Sequence, residues 1–367
     1  MLADTVGRWL DDEYGFDQRR RFCAQPHGFA PQNWSRLADL GLLGINVPGE
    51  YGGLGGGAIE TLIVMQAFGR ALVVEPYLST AVVAASLLAR NGSEPQKQAW
   101  LPRIAEGSGK LAIAALERGA RYDWHRVQTT GRLQGDGYRL DGHKAVVLHG
   151  DSADALLVSA RTSGGPADMQ GISLFLVDAR AAGVCIKGFP TIDGQRAAEV
   201  ELKGVTVDRA SILGSVGGGL AILEAGVDAG LAAICAEAVG SMERLMEITA
   251  EYLRTRKQFG SAIGSFQAIQ HRAADMAIAI EQARAMALCA AAHAREADAT
   301  ARRRALSAAK ALIGRAGRYV GQEAVQLHGG MGMTDELAVG YYFKRLTCID
   351  MTWGDTEHHM ERYGELM

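Results

Sequence analysis

The chain has 367 residues, 48% of them hydrophobic, and a formal net charge of −3. That is enough apolar material for a large core shared among two or three domains, and the near-neutral balance argues against nucleic acid or an anionic membrane surface as a partner. Its five cysteines (Cys23, Cys185, Cys235, Cys289, Cys348) are scattered and odd in number, without CxxC spacing; they argue against a disulfide framework or a zinc site and fit a reducing, cytoplasmic setting.

Met1–Glu13 is acidic and amphipathic and lacks the basic and apolar regions of a signal peptide. No run of about 18 apolar residues is present, so no membrane span is expected. Helical periodicity then dominates to about Gly107. Trp34–Leu43 is amphipathic and stops at Gly44, and Ile59–Leu72, Leu78–Asn91 and Glu94–Ile104 read as further helices. Asn46–Gly57 is a glycine-rich loop. No Gly-Lys-Ser/Thr follows it, so it is not a Walker loop, and its glycines read as turns.

From Leu111 the period changes to that of strands. Candidate strands are Lys110–Leu116, Val127–Leu133, Tyr138–Val147, Ala155–Ala160, Ile172–Val177, Val184–Phe189 and Ala198–Val205, with turns at Gly135-Asp-Gly and Asp141-Gly. Short strands and tight turns predict an antiparallel barrel or sandwich. Gly217–Gly219 reads as a linker. Beyond it Leu220–Arg254, Phe266–Arg295, Arg303–Leu327 and Glu336–Thr347 predict four helices with Ala-rich faces suited to close antiparallel packing. Leu220–Ala238 is apolar but carries Glu224, Asp228 and Glu237, and reads as a buried helix. The fold class is therefore α+β, with a helical domain over 1–109, a β-domain over 110–215 and a four-helix bundle over 216–367.

One stretch organises the second half. Arg254–Ala274 opens with Arg254, Arg256 and Lys257, breaks at Gly260 and Gly264, and restarts at Ser265, a candidate N-cap. Arginine forks and the backbone N–H groups of a helix start suit a pyrophosphate, and Phe259 and Phe266 place apolar faces beside the cations. Taken alone, the stretch reads more simply as an ordinary turn with a solvated basic end. A second block, Gln326-Leu-His-Gly-Gly-Met-Gly332, lies downstream.

Together the two blocks resemble the acyl-CoA dehydrogenase family, whose Arg-x-x-Phe-Gly…Phe-Gln turn matches Arg256, Phe259, Gly260, Phe266 and Gln267, and whose Gln-x-x-Gly-Gly-x-Gly segment matches Gln326–Gly332. The loop at Pro48–Gly55 is similar as well, so the likeness spans nearly the whole chain. It implies α,β-desaturation of an acyl-CoA thioester, FAD as cofactor, and an electron-transferring flavoprotein as oxidant. It also implies that Arg256, Phe259, Gln267, Gln326, Leu327, His328, Gly329 and Gly330 reach across a subunit interface to the adenosine and pyrophosphate end of a neighbour's FAD.

The reaction needs a carboxylate base in a dry pocket and hydrogen bonds to the thioester oxygen. Here the chain departs from the family. Where the family's Glu-Gly-Thr base segment falls, the sequence reads Thr352-Trp-Gly-Asp-Thr-Glu357, which puts Trp353 or Gly354 at the base position. The family's other base site, in Asp-x-Glu-Arg, matches Asp228-Ala-Gly-Leu231, with Gly230 at the base. Asp355, Glu357 and Asp228 are the candidate substitute bases; Asp355 reads more simply as a helix cap, and Asp228 as a helix N-terminal charge or a contact to a ligand amide. The adjacent His358 and His359 point in different directions on a helix and read as surface or interface residues. His328 reads as packed or hydrogen-bonded in its block.

The family's flavin-facing Thr-Glu-Pro-x-x-Gly-Ser-Asp matches Leu116-Glu-Arg-Gly-Ala-Arg-Tyr-Asp123, and Lys-x-Trp-Ile-Thr-Asn matches Lys144-Ala-Val-Val-Leu-His149. Leu116, Tyr122, Val146 and Leu148 thus replace groups that would bond or flank the ring. Such an asymmetry points to a heteromeric enzyme in which a related subunit supplies flavin cradle and base. The tail from Tyr342 resembles the small subunit of the pimeloyl-CoA-type enzymes. The alternatives are a non-catalytic acyl-CoA-binding or scaffold chain, and a self-sufficient homo-oligomer using Asp355 or Asp228.

Overall fold

The computed structural model describes residues 1–367. Helices α1 (Leu2–Glu13), α2 (Phe16–Cys23), α3 (Pro31–Asp39) and α4 (Ala58–Ala71) come first. A seven-residue π-type segment, Leu78–Ala84, then runs directly into α5 (Ala85–Asn91), and α6 (Glu94–Ala105) follows. The start of α6 is fixed by a capping box in which Ser93 and Gln96 each satisfy the other's backbone N–H.

The strands are β1 (Leu111–Ala114), β2 (Thr130–Gln134), β3 (Gly137–Leu148), β4 (Ala155–Arg161), β5 (Ile172–Asp178), β6 (Val184–Pro190), β7 (Arg196–Asp208) and the two-residue β8 (Ile212–Leu213). They form one sheet in the order β6-β7-β3-β2-β4-β5-β8, with β1 beside β4. Pairing is antiparallel except that β1, and one residue pair of β2, run parallel to β4. Its buried side chains include Leu140, Leu156, Val158, Phe175, Val177 and Val200.

The last third holds α7 (Gly219–Thr255), α8 (Gln267–His293), α9 (Ala299–His328), α10 (Val339–Met351) and α11 (Thr356–Glu365). The four expected helices are present, with α11 as a fifth. By length and composition α7 would cross a membrane, but 72% of its most apolar window is buried in protein, as in a core helix.

Packing divides the chain into two compact units, one of Met1–Arg20, Ala58–Val73 and Leu231–Met367, the other of Arg21–Gly57 and Val74–Gly230. The sheet belongs to the second. There Thr80, in the π-type segment, takes both the N–H and the C=O of Leu111 (3.1 and 2.9 Å), and Trp34 Nε1 donates to Gly107 O at 2.8 Å. In the first unit α4 lies backbone to backbone on α7. A Cβ at Gly69 would overlap Glu237 O, and one at Gly240 would overlap Gln66 O. Ser241 Oγ donates to Gly69 O at 3.0 Å, and Gln66 Nε2 donates to the Glu243 carboxylate at 2.9 and 3.0 Å.

Two glycine substitutions should therefore move stability in opposite directions. Gly240→Ala is expected to cost about 1–3 kcal/mol by forcing α4 and α7 apart. Gly7→Ala, in α1 with open space around its Cβ position, should add roughly 0.5–1 kcal/mol. Urea midpoints check both, and a neutral Gly240→Ala would contradict the close crossing.

Candidate functional site

At the end of α7 the chain makes a tight hairpin. Lys257–Gln258 pairs antiparallel with Ser261–Ala262, and the two turn residues Phe259 and Gly260 both have left-handed φ, 54° and 79°. Left-handed backbone is natural for Gly260 and costly for Phe259. Phe259 is 92% exposed, meeting only the edge of Phe266 (centroids 6.1 Å apart). The Arg256 and Gln267 side chains are exposed too, and the Arg256 guanidinium has no hydrogen bond or ion pair within the chain.

The restart differs from the sequence expectation. Ser265 is not the cap of α8. A short 3-10 turn, Ile263–Ser265, intervenes, Ser265 Oγ donates back to Ala262 O at 2.7 Å, and Phe266 holds the capping position without a side-chain bond.

The second block closes α9. Gln326 is exposed, whereas Leu327 and His328 are buried, so neither of those side chains faces outward. Gly329 (φ 60°) and Gly330 are exposed, and a Cβ at either would meet nothing. His328 Nδ1 donates to Ala324 O at 2.8 Å, and burial lowers its pKa, keeping the ring neutral. The ring stacks on Tyr252 (centroids 4.3 Å, 28°), whose hydroxyl donates to His328 O at 3.4 Å. This contact brings the two blocks together. The sequence reading missed Tyr252, although it lies four residues before Arg256, one helical turn away.

On the sheet, Glu117 and Lys144 form a buried ion pair at 2.6 Å. Lys144 Nζ also donates to Ser159 Oγ at 2.9 Å, and Glu117 accepts the N–H groups of Gln128 (2.7 Å) and Thr129 (3.1 Å). Burial pushes the Lys144 ammonium down to about 8 against the pull of Glu117. Burial acts on Glu117 in the opposite sense, but Lys144 and the hydrogen bonds outweigh it and hold the carboxyl below its usual range. Both shifts leave the pair ionised at neutral pH. Beyond it, Val146 sits at φ 52° in a β-bulge, half exposed, and Leu116 O accepts the Ala145 N–H at 2.9 Å. Leu116, Val146 and Leu148 bring no side-chain donor to this face.

The loop at the base position is sealed. Trp353 and Gly354 have φ 58° and 121°. Buried Lys310 donates to Asp350 O (2.7 Å) and Gly354 O (2.6 Å), and burial lowers its pKa to about 8. His359 Nε2 lies 3.2 Å from Trp353 O and Nδ1 3.3 Å from Ser307 Oγ. Burial, with the Lys310 charge behind it, pushes His359 down to about 2. A Cβ on Gly354 would overlap the His359 ring, so no carboxylate fits there as the loop stands. His359 is thus a core residue and not the surface or interface histidine expected; its ring lies beside Ser307 of α9. Asp355 caps α11, accepting the His358 N–H at 2.9 Å. Asp228 is buried within α7, 1% exposed.

An unpaired guanidinium, an exposed glutamine and two glycines opening on free space fit the pyrophosphate end of FAD. Leu116, Val146 and Leu148 carry no group that could bond the ring end, and the Tyr122 ring lies under the Arg121 guanidinium.

Sequence profiles of the N-terminal, middle and C-terminal domains of acyl-CoA dehydrogenase match residues 1–108, 112–205 and 217–367. The acyl-CoA dehydrogenase FadE27 of Mycobacterium tuberculosis is 33% identical over 370 residues, covering 99% of this chain and 94% of that protein. The ChsE4-ChsE5 complex of Mycobacterium tuberculosis contains a chain that superposes with TM-score 0.88 at 30% identity, over 99% of this chain and 95% of that one. An FAD complex of PigA superposes with TM-score 0.90 at 25% identity, over 99% and 96%. Architecture, motifs and profiles agree along the whole length: the chain belongs to the acyl-CoA dehydrogenase family, FAD-dependent oxidoreductases that act on CH–CH bonds.

Proposed function

We propose that this chain is the base-lacking subunit of a heteromeric acyl-CoA dehydrogenase, working with a related subunit that holds the flavin and the base. The carrying observation is a contrast within one unit. Arg256, Gln267, Gln326, Gly329 and Gly330 stand exposed, with the guanidinium unpaired, while the base loop is closed over Trp353 and Gly354 by Lys310 and His359. Arg256 and Gln326 would hold the pyrophosphate and adenosine end of the partner's FAD, with Phe259 offering an apolar face beside them. Bound FAD supplies hydride acceptance from the acyl β-carbon. The α-proton goes to a carboxylate of the partner, because Gly230, Trp353 and Gly354 can take none. Asp355 is committed to its capping bond, which disfavours it as a substitute base. The ChsE4-ChsE5 neighbour, itself a complex of two chains, supports this reading.

The functional division follows the helical 1–109, sheet 110–215 and helical 216–367 segments. The assembly works in the cytoplasm on an acyl-CoA of fatty-acid or lipid metabolism, with an electron-transferring flavoprotein as acceptor. Purified alone, the chain should be colourless in the visible range and should not oxidise acyl-CoA with an artificial acceptor. Co-purified with its partner, it should give a yellow complex with fewer flavins than chains. Turnover by a homo-oligomer carrying one FAD per chain would overturn the proposal.

A further inference from the structure

We infer that Tyr252 and His328 are positioning residues for FAD binding, acting through Arg256 and Gln326. The inference rests on the FAD-lending reading above and adds what sets the geometry of the grip. Neither side chain is a ligand candidate itself. His328 is 3% exposed and locked by Ala324 O, and Tyr252 is half-buried with its ring on the imidazole. What the stack does is splice two helix ends. Tyr252 is in the last turn of α7, and its carbonyl accepts the Arg256 N–H at 2.8 Å. His328 is the last residue of α9, two beyond Gln326 and next to the open Gly329.

Arg256 lies between the end of α7 and a two-residue ladder whose turn carries a left-handed phenylalanine, and its carbonyl accepts the Ile263 N–H at 2.9 Å. Gln326 lies on the last turn of α9. The Arg272–Glu323 ion pair (2.8 Å) ties the start of α8 to α9, and the Tyr252–His328 stack ties the ends of α7 and α9 themselves. An offset aromatic stack with a hydroxyl-to-carbonyl bond at its rim resists both sliding and rotation of one helix end against the other. The neutral imidazole matters in the same way, because a proton on Nε2 would put charge into a buried stack.

The test measures FAD affinity, by fluorescence quenching, on full-length chain in its assembled complex, alongside the thermal midpoint of each variant. Tyr252→Leu keeps bulk and removes the stack; it should weaken FAD roughly five- to tenfold, the worth of one aromatic pair. Tyr252→Phe keeps the ring and should bind within about twofold of the parent. In an Arg256→Ala background the Tyr252→Leu loss should shrink, since no guanidinium remains to be placed. Equal losses in both backgrounds would mark a merely structural residue and overturn the inference, as would unchanged affinity in folded Tyr252→Leu.

If Arg256→Ala itself leaves affinity unchanged, the FAD-lending reading fails; if it weakens FAD and Tyr252→Leu does not, only the positioning role fails. Should Tyr252→Leu not assemble, Tyr252→Phe and His328→Phe decide, since both keep two stacked rings. Both should retain FAD, and a loss beyond about threefold in either overturns the role of the stack.

Discussion

Lys144→Met is expected to destabilise the sheet-bearing unit by about 3–5 kcal/mol, because it strands the Glu117 carboxylate in the interior. The ammonium is wholly buried and meets Glu117 at 2.6 Å and Ser159 Oγ at 2.9 Å. Without it the carboxylate keeps two backbone N–H donors, from Gln128 and Thr129, loses its bonded cation, and has Arg161 as its remaining favourable charge. The double variant Lys144→Met with Glu117→Gln should recover much of the loss, since no unpaired charge is left behind. Urea midpoints of the single and double variants check this, and a loss below about 1 kcal/mol in the single variant would contradict it. The acid limb gives an independent reading. Glu117 has a folded-state pKa below its unfolded value, so its contribution is present at neutral pH and is lost as pH falls through the folded value. Glu117→Gln should therefore flatten the fall in stability towards acid.

The second large effect concerns ligand and not folding. Arg256→Ala in the assembled complex should weaken FAD about ten- to hundredfold, the range that charge-assisted hydrogen bonds to a phosphate are worth. The side chain is exposed and unpaired, so the thermal midpoint of the chain alone should not move. Arg256→Lys should restore the charge and not the forked geometry, and so recover only part of the affinity. Equal affinity for parent and Arg256→Ala would remove the cofactor role from the whole hairpin.

Much of the fold could be read from the sequence. Period-two alternation and the Gly135-Asp-Gly turn located β2 and β3, and each of the seven candidate strands has its counterpart in the sheet. The two-residue β8 is too short to carry a period, and the parallel β1–β4 pairing is a tertiary choice that local pattern does not encode. Asp355 announced the start of a helix, and α11 begins there. Ser265 misled because serine before an apolar run has the composition of a cap, yet one 3-10 turn displaced it. His359 could not be foreseen as buried, since its burial depends on Lys310 and Ser307, distant in sequence, meeting one loop. Arg256 and Gln326 were legible from motif, because each lies in a run of contiguous residues, and both side chains are exposed. The stack that joins them was not, because Tyr252 and His328 are 76 positions apart.

Four non-glycine residues hold left-handed backbone within the segments that resemble the family's flavin-facing and base motifs: Arg121, Val146, His149 and Trp353, with φ of 52°, 52°, 53° and 58°. Each costs on the order of 1–2 kcal/mol, and for a β-branched valine the conformation is a clear outlier. A chain free to choose its residues for these turns alone would place glycine or asparagine there. Side chains change one codon at a time, whereas a turn is held by every strand and helix that leads into it. The path of the main chain at these turns is therefore a property of the whole fold, and the strain at each is carried by the elements that converge on it.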